Sequence, residues 1–168
     1  MSRRTKIYIA FDGDSDLMSY RTLQSWHGND AISFNLNDAH DVNTAKDDSL
    51  PESIIKQLKE RLDVSKILIL LIGEKTKNNR KGILKYELQY ALKNKIPIVL
   101  VFIGFSGDDE KNTDLWSNTL KPKVPSVVIN SDIKYTLISP FTKKAIEYAI
   151  KKYSNNNLPS EGYTWNWK

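Results

Sequence analysis

Hydrophobic and polar positions along the chain form a repeating pattern that is typical of strands followed by amphipathic helices. Residues 6–11 (KIYIAF) predict a first strand and residues 31–36 (AISFNL) a weaker second one. The unbroken apolar runs 67–72 (ILILLI) and 98–103 (IVLVFI) predict two strands that are buried on both faces, as in a parallel sheet covered by helices. Residues 126–129 form a short candidate for the fifth strand.

Between these strands, apolar side chains recur at the three- and four-residue spacing of helices. The predicted helices span residues 16–26, a segment that starts at Pro51, residues 84–93 and residues 141–153. Strands that alternate with helices predict an α/β fold, a doubly wound, flavodoxin-like parallel sheet of about five strands flanked by helices. We expect the strand order 2-1-3-4-5 that is common in this class.

The length of 168 residues suits one domain, which we assign to residues 1–153. Residues 154–168 form a C-terminal tail whose three aromatics pack either on the domain or on a partner. No apolar run reaches the ~18 residues of a membrane span, and the first strand begins too early to leave room for a signal peptide. We therefore expect a cytoplasmic protein without a membrane partner.

The residue types exclude several kinds of site. The chain has no cysteine, which excludes disulfides, thiolate zinc sites and cysteine nucleophiles. The net charge of +5 comes from scattered lysines, which form either a solvated surface or a basic groove for an anionic nucleotide. They are not clustered with aromatics as in a nucleic-acid binder, so we expect no nucleic-acid partner.

Polar loops follow the predicted strands, at the edge of the sheet where ligands of such folds bind. They comprise residues 12–16, 37–49, 73–82 and 104–114. None of them carries a GxGxxG, phosphate-loop or G-x-S-x-G motif. His27 and His40 are thirteen residues apart, which is poor evidence for a metal site, so we expect none. His40 lies in a polar loop and is the better candidate for a ligand contact.

Glu87 is the most informative polar residue of the predicted helices. Its position relative to Leu84, Leu88 and Ala91 puts it at the edge of the buried helix face. Helical side chains lean toward the N-terminus, so its carboxylate should lean toward the ligand edge of the sheet. The alternative is an exposed glutamate that pairs with a lysine such as Lys85.

The segment that contains Glu87 resembles a known family. A buried strand ending in Ile72-Gly73, a loop with Thr76, the stretch Lys85-Tyr86-Glu87-Leu88 and a following strand resemble the pattern of TIR and TIR-like domains. Residues 7–16 resemble the opening strand of that family. Residues 37–48 resemble the loop after the second strand in TIR-like subunits of Thoeris anti-phage systems. The similarity covers roughly residues 6–103, with one departure, Ile83 in place of the tryptophan of the family.

The resemblance implies an enzyme that cleaves the nicotinamide–ribose bond of NAD and converts the ADP-ribosyl part into a signal nucleotide, cyclic by expectation. Glu87 would be the catalytic carboxylate, with Phe11, Asp12, Asp38 and Thr76 binding the substrate. NAD is the substrate, so no metal and no other cofactor is needed. The resemblance also implies self-association through TIR surfaces and a downstream effector that senses the product.

Each substrate-binding residue has a structural alternative. Phe11 suits the core, Asp12 and Asp38 suit turns, and Thr76 suits the cap of a turn. For the whole chain, the alternative function is a non-catalytic TIR-like interaction and assembly module in signalling, which the Ile83 departure favours. A phospho-acceptor receiver domain is a weaker third interpretation, because the third predicted strand ends without the aspartate that receivers need.

The two long loops of the predicted site carry opposite charges. We expect the acidic loop 37–49 to be mobile without ligand and to contact the ribose or nicotinamide end of NAD, or a basic surface of a neighbouring subunit. The basic loop 75–81 would hold the phosphates. We also expect Glu87→Gln to remove NAD cleavage with little change in stability, because a surface or cleft carboxylate seldom contributes more than ~1 kcal/mol.

Overall fold

The computed structural model describes residues 4–13, 15–27, 51–79, 82–105, 116–131, 136–154, 157–158 and 164–165. A parallel sheet forms its centre, with strands in the order β1-β2-β3-β4-β5. The strands are β1 (Lys6–Ala10), β2 (Ser65–Ile72), β3 (Ile98–Phe102), β4 (Thr136–Pro140) and β5 (Thr164–Trp165). β2, β3 and β4 are almost wholly buried, which is why their apolar runs are unbroken.

Helices connect the strands. They are α1 (Leu17–His27), α2 (Glu52–Asp63), α3 (Gly82–Lys93), α4 (Ser126–Ile129) and α5 (Lys143–Lys152), with a π-helical turn at Trp116–Leu120 and a 3-10 turn at Lys121–Lys123. Pro51 occupies the N-cap of α2, where its missing N–H costs nothing. The Thr142 side chain caps α5 by accepting from the Ala145 N–H, so this helix begins two residues later than predicted.

The predicted fold class is confirmed by these parallel strand pairs. Residues 68–72 of β2 pair in parallel with residues 98–102 of β3, as their buried apolar runs predict. β1 lies beside β2, which agrees with the predicted neighbours of the first strand. The predicted strand at 31–36 and the acidic loop 37–49 lie outside the described residues.

The prediction of a strand at residues 126–129 is wrong. These residues form α4, because the Pro125 carbonyl accepts from the N–H groups of Val128 and Ile129 and so starts a helical turn. The strand next to β3 is β4, ten residues further along the chain. Its polar Thr136 and Ser139 are fully buried, and they interrupt the apolar pattern by which the other buried strands are detected.

The C-terminal tail contributes to the sheet. Thr164 and Trp165 pair in parallel with Leu137 and Ile138 of β4, so these two residues form an edge strand. The division of the chain at residue 153 stays a prediction. Within the part of the chain that the structure describes, no helix is long and apolar enough to cross a membrane.

The alternation of side chains along β1 divides the residues of the candidate site between the two faces of the sheet. Phe11, just after β1, stacks on Tyr20 of α1, with ring centroids 4.7 Å apart. Tyr8 lies an odd number of residues away and therefore points to the opposite face, where it interacts with Glu87 of α3. The two faces of β1 thus have different roles, packing on α1 and polar contact with α3.

Candidate functional site

Glu87 lies on the buried face of α3. Its side chain is 3% exposed, and the neighbouring positions Ile83, Leu84, Leu88 and Ala91 are buried as well. Ile83, the residue in place of the family's tryptophan, packs with Leu58 of α2. The alternative in which Glu87 is an exposed helical glutamate is therefore wrong. Glu87 is thus a buried carboxyl, and its protonation state depends on its surroundings.

The protonation of Glu87 is set by its burial. Burial raises the pKa of Glu87 from 4.5 to about 8, while the neighbouring Tyr8 side chain acts in the opposite direction. Among the described residues, its Oε2 atom is buried and has no hydrogen-bond partner. At neutral pH the carboxyl therefore holds its proton, and a cationic group that arrives beside it would favour ionisation.

Phe11 and Asp12 follow β1 and have different surroundings. Phe11 is 7% exposed and stacked on Tyr20, which is the core position that the structural alternative proposed. The Asp12 carboxylate accepts from the Ser15 N–H at 3.1 Å and from the Asn79 side-chain amide at 3.0 Å. The first bond belongs to a local turn, and the second joins the loops that follow β1 and β2.

Thr76 joins the same two loops more firmly. Its hydroxyl is buried, accepts from the Gly73 N–H at 2.8 Å, and lies 3.3 Å from Asp16 Oδ2 and 3.4 Å from the Leu71 carbonyl. Burial raises the pKa of Asp16, the Thr76 hydroxyl lowers it, and the nearby Asp12 charge raises it. Thr76 therefore has the turn-capping role of its structural alternative and also fixes Asp16.

Gly73 is required by the closeness of Asp16. A Cβ atom built on Gly73 would lie 2.4 Å from Asp16 Oδ1 and 2.9 Å from its Cγ. A shift of the Asp16 carboxyl would disturb its contact with Thr76. We expect Gly73→Ala to lower the free energy of unfolding by about 1–3 kcal/mol, measured by urea denaturation. In an Asp16→Ser background the same change should cost much less, and an equal cost in both backgrounds would contradict this explanation.

A cavity of about 190 Å³ opens beside this cluster. Polar side chains of the loop after β2, together with two leucines and a lysine of α3, form one wall, and α4 with the preceding proline forms the other. The lining residues are Thr76, Lys77, Asn79, Leu84, Lys85, Leu88, Pro125, Ser126 and Val127. Lys77 and Lys85 give it positive charge. Of the predicted site residues that the structure describes, Thr76 lines the cavity and Glu87 does not.

The structure thus forms two groups of polar residues on this side of the domain. Asp12, Asp16, Thr76 and Asn79 meet at the carboxyl edge of β1 and β2, while Glu87 of α3 and Tyr8 of β1 are buried in the interior. Asp38 lies outside the described residues. Sequence reasoning missed Tyr8, Asp16 and Asn79. The alternation of β1 is the signal that could have indicated Tyr8, because it places a tyrosine on the face opposite to Phe11.

The parallel strand order, with a glutamate-bearing helix after β2, puts this domain among the flavodoxin-like, TIR-like α/β domains. Comparison with protein families identifies the family within this class. The family model described as Thoeris protein ThsB, TIR-like domain, matches residues 8–108. The chain belongs to this family and is a TIR-like protein of Thoeris anti-phage defence. The matched range contains all five predicted site residues and ends after β3.

Proposed function

We propose that this protein cleaves the nicotinamide–ribose bond of NAD and that Glu87 is its catalytic carboxylate. The ADP-ribosyl part then becomes a signal nucleotide that activates a downstream effector. We expect this nucleotide to be cyclic. The observation that supports this best is the burial of Glu87, with one carboxyl oxygen unpaired among the described side chains. Such a group lowers stability, and a carboxyl with a strongly perturbed pKa is a candidate for catalysis.

Cleavage of the nicotinamide–ribose bond brings a positive charge that a buried carboxylate can stabilise. The nicotinamide ring of NAD carries a positive charge, and this charge passes to the ribose as the glycosidic bond breaks. The bonding electrons go to the ring nitrogen, nicotinamide leaves neutral, and the ribosyl cation is captured by water or by a nitrogen of the adenine. A carboxylate in a site that excludes water stabilises the cationic transition state strongly. Glu87 would supply that carboxylate once the substrate cation favours its ionised form.

The burial of Glu87 also constrains the mechanism, because the substrate must reach the carboxyl. At 3% exposure, the carboxyl is closed to a ribose in the described form of the protein. Substrate access therefore requires a rearrangement of the residues around it, and this rearrangement is where a trigger would act. The same closure favours the second candidate function, a non-catalytic TIR-like module that acts by assembly.

NAD turnover separates the two functions. Purified protein is incubated with NAD, with and without lysate from phage-infected cells, and nicotinamide release is measured by chromatography. Glu87→Gln and the exposed control Glu60→Gln are tested alongside. The proposal expects release by the wild type and by Glu60→Gln and none by Glu87→Gln. Absence of release under both conditions would favour the assembly module.

The positive cavity beside α3 is our candidate for the phosphates of NAD. At about 190 Å³ it is smaller than the ~300–1,000 Å³ of typical ligand pockets, so it would hold part of a dinucleotide. Exposed lysines contribute up to ~1 kcal/mol each to such a contact. Lys77→Gln combined with Lys85→Gln should therefore raise the KM for NAD by roughly tenfold at low salt and less at high salt. The control is Lys93→Gln, in the last turn of α3; an equal effect there would show that general charge is responsible.

A further inference from the structure

The cavity beside α3 and the buried carboxyl of Glu87 lie on neighbouring sides of the same helix. Leu84, Lys85 and Leu88 line the cavity, whereas Glu87 is 3% exposed and does not line it. An α-helix turns by about 100° per residue, so the three lining residues cover an arc of roughly 100° that starts at Leu84. Glu87 lies about 60° to the other side of Leu84. Leu84 therefore marks the boundary between the cavity and the carboxyl.

Two apolar side chains of the preceding helical turn flank the Glu87 carboxyl. Side chains three and four positions apart face each other on a helix, and each leans toward the N-terminus. The neighbours of the carboxyl on α3 are therefore Ile83 and Leu84, and both are buried. Ile83 packs with Leu58 of α2, which closes one side. Leu84 closes the side that faces the cavity.

We propose that Leu84 is the gate between the cavity and Glu87, and that rotation of its side chain lets the ribose of a dinucleotide held in the cavity reach the carboxyl. This inference rests on the proposed NAD cleavage, since it concerns access to the same carboxylate. Leucine has more than one allowed rotamer in a helix, so the gate can open without unfolding α3. The rearrangement that the burial of Glu87 requires then becomes a local one.

The surroundings of Leu84 suit a side chain that moves. The cavity provides about 190 Å³ of free space beside it, which a leucine packed on all sides does not have. The facing wall contains Pro125 and Val127, so a leucine that turns toward α4 keeps apolar contacts. Lys77 and Lys85 would draw an anionic group to the same side of the helix. The open gate would thus lie next to a bound phosphate.

Leu84→Ala tests the gate, with two measurements. The first is the dependence of the free energy of unfolding on pH, which reports the titration of Glu87 without any substrate. Water that enters past the shortened side chain removes part of the desolvation, so the midpoint should fall from about 8 by about one unit or more. The second is NAD cleavage without lysate from infected cells. There kcat/KM at pH 9 should rise about tenfold, because a larger fraction of the protein presents an accessible carboxylate.

Leu88→Ala is the matched control for the titration of Glu87. It removes the same atoms from the same helix and enlarges the same cavity. Adjacent residues of a helix do not face each other, so the midpoint of Glu87 should stay where the wild type has it. Tyr8, which also acts on the pKa of Glu87, is unchanged in both variants. A midpoint that stays in place in Leu84→Ala, or that moves equally in both variants, would overturn the gate.

Leu84→Val provides a milder test that does not depend on the folding of Leu84→Ala. It shortens the side chain by one methylene and keeps most of the apolar contact, so the midpoint should fall by a smaller amount. An unchanged or raised midpoint would refute the inference. If the wild type does not cleave NAD, the unfolding measurement still reports whether Leu84 seals the carboxyl. Failure of the proposed function is thereby distinguished from failure of this inference.

Discussion

Glu87→Gln is expected to abolish NAD cleavage and, at the same time, to make the protein more stable at alkaline pH. Glutamine keeps the size and shape of the side chain but cannot carry the negative charge that stabilises the ribosyl cation. It also cannot ionise, and ionisation is what makes a buried carboxyl costly. A variant that loses activity and gains stability is typical of a functional residue placed at the expense of the fold.

The sign of the stability change follows from proton binding. The folded protein holds the Glu87 proton up to about pH 8, whereas the unfolded chain releases it near the ordinary value of 4.5. Between these values the folded state binds more protons, so the stability of the wild type falls as the pH rises. Glu87→Gln cannot ionise at this position, so its stability lacks this decrease with rising pH. Its stability relative to the wild type should therefore increase by roughly 3 kcal/mol between pH 5 and pH 8.

Urea denaturation at a series of pH values measures this difference. Glu60→Gln, an exposed change on α2, is the control and should follow the wild type throughout. If the curves of Glu87→Gln and wild type run parallel from pH 5 to pH 8, the carboxyl is not buried in solution as described. The sequence-based expectation of nearly unchanged stability assumed a surface or cleft carboxylate, and the 3% exposure of Glu87 removes that assumption.

The sequence predicted correctly the strands that are buried on both faces and therefore consist of an unbroken apolar run. β2 and β3 are buried on both faces and contain no polar residue after Lys66, so their type and pairing could be read directly. β4 is equally buried but contains Thr136, Ser139 and Pro140, which tertiary packing accommodates. The β-branched residues of α4 mimic a strand, and the carbonyl of Pro125 overrides that local preference by starting a helical turn.

The candidate site was predictable where helical spacing specifies a side chain's direction. The position of Glu87 beside Leu84 and Leu88 placed it at the edge of the buried face, and the residue is buried. Tyr8, which affects the pKa of Glu87, is 79 positions earlier in the chain, and no local pattern relates the two. The contact of Asp16 with Gly73 and Thr76 likewise joins two loops that become neighbours only when β1 and β2 pair.

The pH dependence of NAD cleavage is expected to follow the ionisation of Glu87. Because the carboxylate is the form that stabilises a cation, kcat/KM should rise about tenfold per pH unit below the midpoint and level off above pH 8. The expected gain between pH 6 and pH 8 is thus on the order of fiftyfold. This direction is opposite to that of stability, so each rate must be measured on protein shown to be folded at the same pH.

The profile of kcat should differ from that of kcat/KM in a way that identifies the cation. kcat/KM reports the free enzyme, while kcat reports the complex with bound substrate. The positive nicotinamide ring beside Glu87 favours the ionised carboxylate, so the midpoint of kcat should lie below that of kcat/KM. Steady-state rates from pH 5.5 to pH 9, in buffers of about constant ionic strength, give both midpoints. Coincident midpoints would mean that the nicotinamide charge does not reach Glu87, and a rate that falls as the pH rises would exclude its carboxylate as the catalytic form.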